Sequence, residues 1–439
     1  MIAIGGAIGT GFFLGSSDAI SMTGASITIA YIIGGIIMYG IMRALGEMTV
    51  DYPTSGSFVE YAKRYLGNPV GFMTGWNAWT LFTISCMLEV TAVSTLLDHW
   101  IFIPHWITCL VLLITFGGIN LLGVKYFGEA EFWFACIKVA VIIFMIISGT
   151  YLIFFNHHVH NITLNNIESY KNVNVLFSHG IYGFLQAMVF VCLSFCGSEF
   201  VSIAAGEAED PKKSIPKAIN GVIFRILLFY VLTLLVIVLI YPTDKLTKHS
   251  NPFVDVFSQL GFGRSADIIN FVAITAALSA LNSCMYVASR FLYNLSLNQQ
   301  APKAFAKVNK SKLPQNALFF TFIVSFIAVI ANYTFPENIL AYLFSMLTVA
   351  IIINWLVIMA SHFSFRIKLK KLKRKSIYHM PGFPIVNIII FISLIVILAI
   401  MVSTAELRLG IYVATAWLLL LITIYCIRNV IWKNNTTSN

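Results

Sequence analysis

Lys138 stands in the middle of the apolar string FACIKVAVIIF. It lies about 13 Å along a helix from the start of its segment at 1.5 Å per residue, which puts an ammonium near the centre of a bilayer. A charge at that depth is costly and marks a functional group by default. Such a lysine can take up and release a proton, which is the chemistry of proton coupling. The bland alternative is a side chain that snorkels to the cytoplasmic face.

Two weakened stretches of backbone accompany it. The string GGAIGTGFFLG sets Gly5, Gly6, Gly9, Gly11 and Gly15 within an apolar segment, and each glycine destabilises a helix interior by about 1 kcal/mol relative to alanine. A second weak point, Phe195-Cys196-Gly197-Ser198-Glu199, falls inside a later apolar run. Backbone released from helical pairing cannot face lipid, so it lines a cavity or binds something polar. Paired helix breaks complement a zwitterion: N–H groups at a half-helix start take a carboxylate, and unwound carbonyls take an ammonium. Gly9, Thr10 and Gly11 fit the first role, with the Thr10 hydroxyl as an extra donor. Phe195, Cys196, Gly197 and Ser198 fit the second, with the Ile8 carbonyl as a partner. Gly5-xxx-Gly9 and Gly11-xxx-Gly15 also match a helix-packing pattern, and the two roles are compatible.

Carboxylates complete the set. Phe82, Cys86 and Glu89 are spaced i, i+4, i+7 and share one helix face. Glu89 reads as a proton site or gate, or as a buried protonated group bonded to a neighbour. Phe82 reads as a stacking platform for an aromatic substrate or as packing. Glu199 follows the second break directly, where a carboxylate can order the half-helix end. Arg43 and Glu47, spaced i,i+4, read as an ion pair fixing the inner gate.

The elements that position these groups are membrane helices. The chain is 59% hydrophobic and 10% charged, with mean hydropathy +0.85, whereas soluble domains carry about 25% charge. About twelve apolar segments recur, at 1–21, 25–48, 69–97, 105–122, 129–155, 179–205, 221–241, 264–294, 316–334, 338–364, 383–403 and 410–431. With the N-terminus inside, about 22 of the 28 Lys and Arg residues fall on cytoplasmic ends and loops and about 5 outside, a strong positive-inside bias. Both termini are then cytoplasmic, and sparse charge suits a bacterial inner membrane. The net charge of +10 is a topology signal, not a nucleic-acid one. Its densest patch, Arg366 to Lys375, reads as an anchor beside anionic lipid or as a regulatory site. Residues 207–220 read as a cytoplasmic loop entering a short amphipathic helix, and His157, His158, His160, His179 and His249 as loop residues. The first segment lacks a basic stretch ahead of it and is no cleaved signal; a short cytoplasmic leader is expected to be missing, or the start misassigned.

The seven cysteines fall in or beside apolar segments and behave as small hydrophobes; Cys196 alone sits at a break, within reach of a substrate. No zinc spacing, HExxH or GxSxG occurs, and Ser55-Gly56-Ser57 is not followed by a P-loop lysine. No metal, cofactor or enzymatic activity is expected, and no obligate protein partner is evident.

Several strings together carry a resemblance: GGAIGTGFFLGS at 5–16, RALGEM at 43–48, PTSGSF at 53–58, GWNAW at 75–79, FGEAEFW at 127–133, AAGEAEDPKKSIPKAIN at 204–220 and LNSCMYVASRFLY at 281–293. In this order the chain resembles amino acid permeases of the amino acid–polyamine–organocation superfamily over nearly its whole length. The resemblance implies an all-α membrane fold of about twelve helices, a five-plus-five inverted repeat (LeuT-like) with discontinuous helices 1 and 6. Its parts would be a first repeat at 1–155, an inverted second at 179–366 and two additional helices at 382–431. It also implies secondary transport of an amino acid by alternating access, usually proton-driven, with a lysine at the position of Lys138 replacing the sodium ion of related carriers and with Glu199 serving the cavity or inner gate. Within that group GWNAW…MLEVTAV at 75–93, ITAALSALNSCMYVASR at 274–290 and IIINWLVIMASHFSFR at 351–366 look most like the aromatic amino acid permeases. Gly24-Ala25, Ala78 and Ser198 depart from the pattern, so proline, small neutral or basic amino acids and 4-aminobutyrate stay open as cargo. The expected partners are the amino acid, protons and membrane lipid.

Overall fold

The computed structural model describes residues 9–54, 56–122, 124–199, 202, 210–241, 253–254, 264–309 and 313–437. Ile8 and the first half of the glycine run lie outside these residues. All regular structure among them is helical, as saturated backbone pairing in hydrocarbon requires. In chain order the helices are α1 (Thr10–Phe13), α2 (Gly15–Thr23), α3 (Ile27–Asp51), α4 (Ser57–Leu66), α5 (Asn68–Leu97), α6 (His105–Leu122), α7 (Val124–Phe155), α8 (His157–Ser169), α9 (Gly180–Ser194), α10 (Pro211–Ile240), α11 (Ser265–Leu297), α12 (Gln315–Ser325), α13 (Ile327–Thr334), α14 (Ile339–Lys371), α15 (Ile385–Ser403) and α16 (Arg408–Thr437). Nine stretches of the described residues are long and apolar enough to cross a bilayer; the 42-residue stretch Thr10–Asp51 covers two passes, and the shorter apolar helices His105–Leu121 and Leu227–Ile240 complete a set of twelve.

Three spans differ in extent from the sequence reading. Residues 211–220 form no separate short helix but the first turns of α10, which starts with Pro211 and holds Pro216 inside it. Pro216 lacks a donor only toward the carbonyl four residues back, so the helix passes through it. Residues 157–169 are helical rather than loop. The basic run continues α14 to Lys371 because its long cations extend into water while their stems stay on the helix.

The most extensive packing is α5 against α11, followed by α3 against α10 and α2 against α9. The interior is apolar and aromatic: Phe12 stacks on Tyr230 with ring centroids 4.0 Å apart, and Tyr31 and Phe195 meet the same tyrosine at 5.9 and 5.6 Å. This cluster ties the first span to α3, α9 and α10 beside both backbone breaks.

Candidate functional site

The first break is visible at Gly9, whose backbone is extended (φ −125, ψ −158) just before α1. A turn at Leu14 then separates α1 from α2. The second break follows Ser194. Phe195 and Cys196 N–H groups tighten onto the Cys192 and Leu193 carbonyls at 3.1 and 3.0 Å. Gly197 then takes φ +89, a left-handed conformation that glycine enters without a Cβ penalty.

The two breaks face each other. The Ser194 hydroxyl donates to the Gly11 carbonyl at 2.8 Å, and Tyr31 bonds the same hydroxyl at 2.7 Å. Tyr230 donates to the Ser194 carbonyl at 3.2 Å, satisfying an acceptor that the end of α9 leaves without a helical donor. A Cβ on Gly11 would lie 3.0 Å from the Leu193 carbonyl oxygen. Between the breaks is a cavity of about 30 Å³, lined among others by Gly9, Gly11, Phe82, Glu89, Cys196 and Gly197. A pocket that encloses a small organic ligand holds about 300 Å³ or more. The two breaks are therefore closed on each other in this conformation, with less room between them than a small organic ligand fills.

Glu89 lines this cavity and interacts with the Thr10 hydroxyl and N–H beside it, although neither the Thr10 hydroxyl nor Glu89 Oε2 completes a well-formed hydrogen bond among the described residues. Both atoms are buried. The other Glu89 oxygen would lie 3.0 Å from a Cβ on Gly9, so the carboxyl rests against the opening of the first break. Glu89 is the one carboxylate among the described residues that line this cavity.

The remaining sequence candidates separate into cavity and frame. Phe82 lines the cavity and stacks on Phe291 at 5.6 Å with 7° between the rings; Cys86, on the same face, points its thiol at the Leu281 carbonyl. The Phe195 side chain packs in the tyrosine cluster. Its carbonyl accepts from the Ser198 hydroxyl at 2.9 Å and N–H at 3.4 Å, so Phe195 and Ser198 shape the turn instead of lining the cavity. Glu199 is also frame: one oxygen accepts from the Gly197 N–H at 3.1 Å and the other from the Trp355 indole. It orders the half-helix end, one of the two readings the sequence allowed. Lys138 is fully buried and does not snorkel; its ammonium donates to the Ser279 hydroxyl at 2.9 Å, anchoring α7 to α11.

The expected Arg43–Glu47 pair is absent. Glu47 Oε2 instead accepts from His362 Nε2 at 2.9 Å and the Met380 N–H at 2.7 Å, and Oε1 lies 3.2 Å from the Arg366 guanidinium. Asn387 donates to His362 Nδ1 at 3.0 Å, which fixes a neutral imidazole with its proton on Nε2. Arg43 turns the other way, bonding the His379 carbonyl and covering the Tyr378 ring at 3.7 Å. An i,i+4 pair gains only about 0.3–0.5 kcal/mol, less than a buried carboxylate gains from two hydrogen bonds and a further ion pair. Sequence reading also missed Ser194, Tyr31, Tyr230, Ser279 and Trp355. The available signal was a hydroxyl or indole N–H in an apolar span, each of which needs a partner once buried.

The Gly11 contact gives a direct test. Gly11→Ala places a methyl against backbone that cannot swing aside, and overpacking of this kind costs about 1–3 kcal/mol. Uptake is expected to fall about tenfold or more, while Gly118→Ala, whose Cβ meets nothing within 4 Å, transports normally. Equal uptake by both variants in vesicles would separate the close approach from function.

Comparison with known proteins agrees with this architecture. The family model for amino acid permeases matches residues 1–438. The chain is 39% identical over 424 residues to the aromatic amino acid transport protein AroP of Escherichia coli strain K12, covering 96% of this chain and 92% of that one. It is 40% identical over 432 residues to the uncharacterized transporter YdgF of Bacillus subtilis, covering 98% and 93%. It is 39% identical over 428 residues to the amino-acid permease AapA of the same organism, covering 97% and 92%. Broken first and sixth spans, a twelve-pass helical fold and this full-length match together make the chain a member of the amino acid permease family.

Proposed function

We propose that the chain is a proton-coupled importer of an aromatic amino acid, working by alternating access in a bacterial inner membrane with both termini cytoplasmic. The observation that carries this reading is the pair of backbone breaks held face to face by Ser194 and Gly11. Beside them Glu89 lines the cavity and meets Thr10. Glu89 and the Thr10 hydroxyl take the polar end of the substrate, and Phe82 receives its ring. The open backbone at Gly9 and Gly11 supplies N–H groups to the carboxylate, and the Cys196–Gly197 turn borders the ammonium. Lys138 carries the coupled proton, and Glu89 shares the proton or gates its path.

The inverted repeats are proposed as 1–155 and 179–366, with 382–431 appended. Helices at matching places in the two repeats pack on one another: α2 with α9, α3 with α10 and α5 with α11. Rocking one set against the other separates the breaks and opens the closed cavity. Similarity to AapA equals that to AroP in identity, which supports the same mechanism with another cargo as a second reading: proline, a small neutral or basic amino acid, or 4-aminobutyrate.

Uptake of labelled phenylalanine into vesicles, with a panel of unlabelled amino acids and a protonophore, tests both. Phenylalanine, tyrosine and tryptophan are expected to compete, and the protonophore to abolish accumulation. Competition by another class alone moves the cargo, and accumulation that persists with the protonophore ends the coupling.

A further inference from the structure

The cations at the end of α14 form more than a charged edge. The helix closes with a left-handed residue, Lys373, at φ 54. The Arg374 N–H returns to the Leu369 carbonyl at 3.1 Å and the Lys373 N–H to the Lys370 carbonyl at 3.2 Å. This is the Schellman closure, and it reverses the chain so that residues after the helix fold back beside its last turn. The result is a pocket of about 460 Å³ whose polar lining is Arg366, Lys370, Arg374, Lys375, Ser376 and His379.

Cations at a helix C-terminus favour its dipole and an anionic leaflet, and those effects need no pocket. Here four Lys and Arg side chains and one histidine converge on a concavity. Two acidic groups face the cluster: Asp51, 3.4 Å from Arg374, and Glu47, 3.2 Å from Arg366. The Ser376 hydroxyl and Arg366 Nε are buried without hydrogen-bond partners among the described residues. Surplus positive charge, a planar guanidinium with an open donor and an unused hydroxyl are the complement of a tetrahedral oxyanion.

We propose that this pocket binds a phosphate-bearing anion, either free phosphate or the headgroup of an anionic phospholipid. Arg366 and Arg374 supply directed donors, Lys370 and Lys375 supply mobile charge, and Ser376 fills a remaining oxygen. Arg366 also reaches Glu47, so the site abuts the buried group that ties α3 to α14.

The test uses the full chain and two double variants that remove equal charge from the same segment. Lys370→Gln with Lys375→Gln strips the pocket; Lys371→Gln with Lys373→Asn strips its outside. In one arm, inorganic phosphate is titrated into detergent-solubilised protein at constant ionic strength. In the other, spin-labelled phosphatidylglycerol in phosphatidylcholine vesicles reports immobilised lipid. Saturable binding is expected in at least one arm, and that arm identifies the source. The pocket pair weakens it at least about tenfold, the loss of one to two charge-assisted hydrogen bonds. The outer pair changes it less than about twofold, the scale of screened surface charge. Equal loss in both pairs means diffuse attraction and overturns the proposal, as does the absence of saturable binding in both arms.

Discussion

Lys138→Met is expected to abolish accumulation of substrate against its gradient while leaving exchange of substrate across the membrane in place. Methionine keeps the length and apolar stem of the side chain and removes the ammonium that bonds Ser279. Ser279 lies on α11, which is packed against α5, the helix that carries Glu89. A proton on Lys138 therefore sets a charge on the seam between two elements of the site. One pH unit across the membrane is worth 1.36 kcal/mol per proton, about a tenfold concentration of cargo. The variant equilibrates cargo and concentrates none of it. Lys138→Arg sharpens the test, because a guanidinium keeps the charge and does not release its proton; it too equilibrates without concentrating. Proteoliposomes with an imposed pH gradient, read beside counterflow at zero gradient, measure the two quantities separately. Full accumulation by Lys138→Met would remove the lysine from coupling, and loss of counterflow as well would make it structural.

What the sequence showed and what it hid divide along physical lines. The breaks were legible because glycine is informative: Gly9 and Gly197 stand where the backbone leaves the helix, and an apolar span has few other reasons to hold them. Lys138 was legible because a charge in hydrocarbon is rare enough to stand alone. The frame was not. Glu199 bonds Trp355 across 156 positions, and no local spacing announces such a pair. Phe195 and Ser198 sit in the segment that leaves the helix, yet which residues of that turn line the cavity depends on how tightly it closes. The cavity volume was illegible for the same reason, since it depends on how closely two segments distant in sequence approach.

Glu47 shows the same limit at the inner end, where the nearest cation in sequence is not the partner. Glu47→Ala removes the acceptor for His362 and the Met380 N–H and the ion-pair partner of Arg366 at once. Breaking a buried charge set from one side costs about 3–5 kcal/mol, because the surviving charge loses its compensation. The variant is expected to unfold at clearly lower temperature in detergent. Arg43→Ala should cost far less, since Arg43 holds only a carbonyl and a ring face at the edge of the loop. Adding Arg366→Met to Glu47→Gln removes the stranded charge and is expected to recover part of the loss, a coupling that a double-mutant cycle isolates. The group also joins α3, α14 and α15 through Asn387, so weakening it should raise leak at this end of the bundle. If Arg43→Ala destabilised the protein as strongly as Glu47→Ala, and the double variant recovered nothing, the inner end would be held by the local pair instead.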